Sequence, residues 1–215
     1  MTQFAILWLK QKPGTDVAVF QAIAQVILVE ELYDLEFISQ RVEDFEKYAN
    51  EINNLLTKKS DLVLEIACND GILLKPIKDK GVNCLGVDPA SNIVNVAKEK
   101  GLNVINDFFG EKIGKKILDE YGSAEIIVAN AVFAHVDDMN DITSGVSKVL
   151  SDSGTFIFEV HHLADIIEEM QYDSFYHEHF SYHSIITLSK FLKKYDMEIC
   201  KVKKFPIRGG MIRVY

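Results

Sequence analysis

The nonapeptide YHEHFSYHS, residues 176–184, sets His177 and His179 on either side of Glu178 and frames them with Tyr176 and Tyr182. So many titratable groups in a short stretch could bind a metal, relay protons or form a solvated polar loop, and spacing alone does not separate the three. In an extended segment successive side chains point to opposite sides. His177 and His179 would then share one side while Glu178 points away, so a zinc site would need at least one further ligand from elsewhere in the chain. No metal is expected.

A second constellation lies at EIACNDG, residues 65–71, where an apolar run ends and the helix-like LLKPIKDKG begins. Small residues such as Ala67 and Gly71 at a strand-to-helix turn let a ligand approach the main chain closely. Asp88 stands 17 residues beyond Gly71, at the end of the next apolar run and just before Pro89. That is about the offset at which nucleotide-binding α/β folds place an acid on ribose hydroxyls. Glycine is scarcer than in GxGxxG, and Asn69 and Asp70 occupy the turn, so a pyrophosphate would meet a carboxylate. The pattern favours a nucleoside ligand without phosphates, of which S-adenosyl-L-methionine is the commonest. Its ammonium and sulfonium groups suit a site that offers Glu65 and Asp70. Without Asp88 behind it, the same heptapeptide is only a tight turn.

Two further segments follow apolar runs. In NDFF (106–109) Asp107 could accept from an adenine amino group and Phe108 could stack on the ring, or serve as an ordinary core aromatic. ANAVFAHVDD (129–138) places Asn130, Ala131 and His135 after the next run. Strand ends of a parallel sheet converge on one crevice. A histidine on an apolar segment is commonly structural, but one at the carboxyl end of a central strand looks into that crevice.

The elements that must position these residues are legible in the hydrophobic pattern. Val42, Phe45, Ala49, Ile52 and Leu56 recur at three- and four-residue steps among charged neighbours, as in an amphipathic helix. The runs LVLEI (62–66), CLGVD (84–88), NVIN (103–106), EIIVA (125–129) and TFIFEV (155–160) then alternate with helical stretches, the mark of parallel strands buried on both faces. Toward the end, TLSKFLKKY (187–195) reads as a helix, and MEICKVKKF, the PIRGG turn and MIRVY read as an antiparallel hairpin. Residues 1–40 keep no clear period, and KPGTD marks a turn within them. The division expected is a helical or irregular lead-in over residues 1–57 and a ligand-binding core over 58–215.

Acidic residues outnumber basic ones 32 to 23, a net charge of −9, which opposes attraction to nucleic acid or anionic lipid. A small-molecule substrate is expected instead. Cys68, Cys84 and Cys200 form no CxxC or CxxH pair, which fits a reducing cytoplasm. The apolar stretch from Val17 to Val29 is interrupted by Gln21 and Gln25 and falls short of the about 20 residues that a bilayer requires. Phe4 to Leu9 has no basic residues ahead of it, so no signal peptide is expected.

The runs LEIACNDGILLKPIKDKGVNCLGVDPASNIVNVAKEKGLNVINDFF, ANAVFAHVDD and FEVHHLADIIEEMQYDSFYHEHFSYHS together resemble the S-adenosylmethionine-dependent sugar C-methyltransferases, which act on nucleotide-linked 4-keto-6-deoxysugars. The likeness covers roughly residues 30–215, and its most specific element is YHEH, preceded by an aspartate and followed by a tyrosine. The resemblance implies a doubly wound, Rossmann-like class I methyltransferase fold whose mostly parallel seven-stranded sheet ends in an antiparallel hairpin. It also implies removal of a proton beside the sugar ketone, stabilisation of the enolate, and attack of carbon on the sulfonium methyl. Histidine can be a free base at neutral pH, so His179 is the candidate for taking the proton. Glu178 and Tyr176 would orient it or share the proton, with the division between Tyr176 and His179 left open. His135 would donate to the keto oxygen as charge develops there. One of His161 and His162, at the end of the fifth strand, should border the cleft.

The chain also departs from that family, whose members begin with a four-cysteine zinc-binding region and end with a second Rossmann-like domain. No cysteine precedes Cys68, Phe20 and Ile23 stand where a CxxC pair would fall, and IRGGMIRVY resembles the final core strand. A partner or missing C-terminal domain is the corollary. Phe37 in EFISQ stands where the family offers a tyrosine, and Ala67 stands where it offers a glycine. Two other outcomes stay open: a methyltransferase acting on a different small molecule, and a truncated cofactor-binding domain without turnover.

Overall fold

In a computed structural model of the chain, residues 45–205 and 211–215 are described. The KPGTD turn, EFISQ, positions 20 and 23 and the PIRGG turn of the sequence reading, residues 206–210, lie outside them. The described residues belong to a compact unit over Glu43–Tyr215.

Seven strands form one sheet: β1 (Leu62–Ile66), β2 (Cys84–Val87), β3 (Val104–Ile105), β4 (Ala124–Asn130), β5 (Leu150–His161), β6 (Val202–Phe205) and β7 (Met211–Val214). Their order is β3-β2-β1-β4-β5-β7-β6. The first five run parallel, and β7 lies antiparallel between β5 and β6. Among the described residues seven helices accompany them: α1 (Phe45–Leu55), α2 (Leu74–Asp79), α3 (Ser91–Glu99), α4 (Glu111–Tyr121), α5 (Met139–Val149), α6 (Leu163–Glu168) and α7 (Ile185–Leu192). This is the doubly wound sheet with a closing antiparallel pair that the hydrophobic runs imply.

Alternation along the strands explains why those runs are apolar throughout. Leu62, Leu64 and Ile66 of β1 and Ile127 and Ala129 of β4 join a core with Ile113, Ile117 and Val146 from α4 and α5. Val63 of β1 and Ile126 and Val128 of β4 point the other way, into a core with Tyr48, Ile52 and Ile77 from α1 and α2. Each face of the sheet is thus covered, and a polar residue on either face of a central strand would be buried. Helix α1, which the sequence reading assigns to the lead-in, contributes Tyr48, Ala49 and Ile52 to that second core.

Helices α4 and α5 approach closely where Gly114 meets Gly145: a Cβ on Gly114 would lie 2.7 Å from the Gly145 carbonyl oxygen and 2.9 Å from its Cα. A buried polar link crosses the opposite half of the molecule. Arg213 of β7, 3% exposed, donates from Nε to Glu159 of β5 at 2.6 Å. Its guanidinium lies 3.4 Å from the centre of the Tyr48 ring and 3.8 Å from a Glu51 carboxylate oxygen. Tyr48 in turn donates its hydroxyl to Asn130 Oδ1 at 3.2 Å, at the carboxyl end of β4.

Candidate active site

Two cavities open at the carboxyl edge of the sheet. The larger, about 700 Å³, is lined by residues that follow each of the first four strands: Ala67 and Asn69 after β1, Asp88 and Pro89 after β2, Phe108 and Phe109 after β3, and Asn130, Ala131 and His135 at and after β4. Among the described residues, five non-glycine positions have positive φ, and three of them, Ala67 (φ 55°), Asn69 (φ 53°) and Ala131 (φ 53°), line this cleft. A side chain other than glycine in that region costs about 1–2 kcal/mol. Such cost concentrates where main chain must be presented to a ligand. Ala67 therefore bears more than the lost clearance of one methyl group; its backbone is itself left-handed.

Asp88 holds the first two turns together. Its Oδ2 accepts the Asn69 N–H at 3.0 Å, its Oδ1 accepts the Ala90 N–H at 2.9 Å, and its carbonyl accepts from the Asn106 side chain at 2.9 Å. A carboxylate oxygen has a second lone pair, so these bonds leave capacity facing the cleft.

The smaller cavity, about 400 Å³, lies against β5 and β7 and shares Ala131 and His135 with the larger one. Its other polar walls are Glu159, His161, Asp173, Ser174, Tyr176 and His179. The segment after α6 folds over this cavity and is stitched to the turn Phe133–His135 by three hydrogen bonds. His135 Nδ1 donates to the Glu178 carbonyl at 2.9 Å, the Phe180 N–H donates to the Ala134 carbonyl at 2.7 Å, and Ser181 Oγ donates to the Phe133 carbonyl at 3.2 Å. Because a carbonyl only accepts, the proton on His135 Nδ1 is fixed by its partner.

The same logic sets the tautomer of His179. Its Nδ1 lies 3.2 Å from the Ser174 carbonyl and must donate. A neutral ring then has its lone pair on Nε2, which stands 2.9 Å from the Tyr176 hydroxyl and accepts from it. His179 is 9% exposed and Tyr176 is 44% exposed, so the phenol lies on the open side of the pair. The His179 ring centre is 5.0 Å from that of His135 and 5.2 Å from that of His161.

Seven of the ten residues expected to hold the cofactor therefore line one cleft: Ala67, Asn69, Asp88, Pro89, Phe108, Asn130 and Ala131. The other three stand elsewhere. Gly71 packs toward Leu102, which a Cβ there would strike at 1.9 Å. Asp107 accepts the N–H of its neighbour Phe108. Glu65 is buried in β1, with Oε2 lacking a hydrogen-bond partner. Of the four residues expected to do chemistry, Tyr176, His179 and His135 line the smaller cavity. Glu178 takes part through its carbonyl, while its carboxylate lies 4.0 Å from exposed His177. His161 borders the cavity, whereas His162 pairs with Asp165 at 3.2 Å. Ser174, Ser181 and Phe180 had no signal in residue type, because two act through main-chain atoms and the third reads as a generic hydroxyl. Buried Cys68 is no nucleophile, since burial and then the Glu65 and Asp88 carboxylates push its thiol up to about 12.

The larger cleft fits S-adenosyl-L-methionine. Its volume is that of a small-molecule site, it exposes the main chain of Ala67 and Asn69, and its walls carry Asp88, Asp137, Asp138 and Asp141 with no Lys or Arg among the described residues. Glu65 lies just behind. Burial, then the Asp88 and Asp70 carboxylates, push its carboxyl well above the usual range. Such a lining repels phosphate and receives a cation.

Residues 40–202 match the profile of the methyltransferase domain family. The chain is 33% identical over 155 residues to the C-methyltransferase NovU of Streptomyces niveus, covering 72% of this chain and 37% of that protein. It is 28% identical over 96 residues to a ubiquinone biosynthesis O-methyltransferase of Bartonella bacilliformis, covering 43% of this chain and 38% of that protein. The chain thus spans less than two fifths of the length of these relatives. Among solved structures, magnesium protoporphyrin IX methyltransferase from Synechocystis PCC 6803 with bound SAH superposes with a TM-score of 0.54 at 14% identity, over 79% of this chain and 78% of that one. The glycopeptide N-methyltransferase MtfA complexed with S-adenosyl-L-methionine superposes with a TM-score of 0.57 at 13% identity, over 80% and 93%. Among the described residues no helix is long and apolar enough to cross a membrane.

Proposed function

The chain belongs to the methyltransferase domain family and its cofactor is S-adenosyl-L-methionine, and from that premise we propose that it methylates carbon next to a ketone, on a nucleotide-linked 4-keto-6-deoxysugar. The observation that carries this reading is the Tyr176 hydroxyl at 2.9 Å from His179 Nε2, on the wall of a cavity that shares Ala131 and His135 with the cofactor cleft. Oxygen and nitrogen nucleophiles of an acceptor already carry a lone pair, whereas a carbon must first lose a proton. A base paired with an oxyanion donor is what that step requires. The 33% identity to a protein named as a C-methyltransferase supports the same choice.

Ala67, Asn69, Asp88, Asn130 and Ala131 would hold the cofactor, with the aspartates of the cleft balancing its positive charge. When bound, it supplies an electrophilic methyl group. Tyr176 oxygen takes the proton from the carbon beside the ketone while its own proton passes to His179 Nε2, and the Ser174 carbonyl steadies the imidazolium through Nδ1–H. The electron pair left on carbon spreads onto the keto oxygen, to which His135 Nε2–H donates a hydrogen bond. Because His135 Nδ1 already donates to Glu178, donation from Nε2 requires a doubly protonated ring. The carbon so activated would take the methyl group that the cofactor supplies, the sulfur keeping the electron pair of the bond that breaks.

The test is exchange of deuterium from solvent into the carbon beside the ketone of a nucleotide-linked 4-keto-6-deoxyhexose. The wild-type chain should catalyse it and His179→Ala should not. Absence of exchange with every such sugar would leave only the coarser reading. One observation favours a second acceptor class: no Lys or Arg lines the smaller cavity among the described residues, so a diphosphate would have to be held outside it. Methylation of an uncharged keto compound accommodates that feature directly.

A further inference from the structure

We propose that Phe180 contacts the bound cofactor and thereby ties occupancy of the larger cleft to the position of the Tyr176–His179 pair. The inference rests on the cofactor reading above and adds a residue with which no role has been associated. Phe180 directly follows His179 yet its side chain lines the other cavity, the cofactor cleft. The loop therefore presents successive residues to the two compartments, the imidazole to the acceptor side and the phenyl to the cofactor side. The phenyl is 62% exposed. Exposure of one aromatic is ordinary by itself; here the ring sits at the mouth of a cleft with its main chain pinned by the 2.7 Å bond from its N–H to the Ala134 carbonyl.

A ligand filling the cleft would cover part of that phenyl and remove apolar area from water. The free energy so gained is available only when the loop lies where the Ala134 and His135 bonds hold it. Binding must therefore favour the docked loop by the same factor by which the docked loop favours binding. The pair at 176 and 179 is then ordered when a methyl donor is present, before the acceptor loses its proton.

The experiment combines calorimetry with S-adenosylhomocysteine and amide hydrogen exchange over residues 174–181, on wild type, Phe180→Ala, Phe180→Leu and Phe108→Ala. Phe180→Ala should bind on the order of five- to tenfold more weakly, with Phe180→Leu between it and wild type. At concentrations that saturate each variant, S-adenosylhomocysteine should slow exchange of the 174–181 amides in wild type and in Phe108→Ala, and leave them unchanged in Phe180→Ala. Wild-type affinity in Phe180→Ala, or undiminished protection of the loop in that variant, overturns the proposal. If wild type itself fails to bind S-adenosylhomocysteine, it is the cofactor reading that falls.

Discussion

Two protons decide what the loop can do. His179 can accept only while its Nε2 is bare, and His135 can stabilise an oxyanion only while its Nε2 is protonated, because each Nδ1 is committed to a carbonyl. Tyr176→Phe keeps the ring and removes the hydroxyl that donates to His179 Nε2 and would, on the proposed reading, face the acceptor. Exchange at the acceptor carbon should drop by about 10²–10⁴-fold while calorimetry shows cofactor affinity little changed, and a variant that exchanged at the wild-type rate would return the base role to His179 alone.

Glu65 supplies a different kind of prediction. Its carboxyl is raised in the folded chain, by burial first and then by Asp88 and Asp70, so between the ordinary carboxyl range and that higher value the folded state holds a proton the unfolded state has released. Stability from this group is greatest below the ordinary range and is lost as pH rises toward the folded value. Glu65→Gln removes the charge that burial penalises. It should raise the midpoint of thermal unfolding of the ligand-free chain near neutral pH and flatten its pH dependence.

At the scale of elements, the meeting of α4 and α5 inverts the usual rule for glycine in a helix. Gly→Ala on an exposed helix face stabilises by about 1 kcal/mol. At Gly114 the new methyl would press on the carbonyl and Cα of Gly145, main-chain atoms that cannot turn aside. Gly114→Ala should therefore destabilise by about 1–3 kcal/mol, measurable as a lower midpoint in urea; a gain would show that the two helices can part without cost.

Strands were easy to read where burial on both faces leaves no room for polar residues, as at Leu62–Ile66 and at Ala124–Asn130. The start of β5 was not. SDSG carries no hydrophobic period and looks like a turn, yet β5 begins at Leu150, which pairs with Ala124 before the register shifts. Main-chain pairing does not require apolar side chains at a sheet margin. The same reason hid part of the candidate site. The side chains of Tyr176 and His179 announce chemistry, but the carbonyls of Ser174, Glu178 and Ala134 that aim the loop belong to no residue type. The topology rule that gathers strand ends on one crevice accounts for Ala67, Asp88 and Asn130 standing together, although they are far apart in sequence.

For the whole molecule, the net charge of −9 and the aspartates of the cleft act in the same sense. S-adenosylmethionine carries a net positive charge that S-adenosylhomocysteine lacks. Raising ionic strength from ~0.01 to ~0.15 M, which shortens the screening length from about 30 to about 8 Å, should weaken binding of the former severalfold more than the latter. Equal salt dependence of the two would mean that the field of the protein does not discriminate them.

The wall common to both cavities is a single main-chain turn, from left-handed Ala131 to His135. Any attempt to re-tailor the proposed acceptor would do best to leave that turn alone and carve instead at Met211 of β7, which lines the smaller cavity and not the larger, so that a changed contour would reshape the guest without disturbing the cofactor cleft.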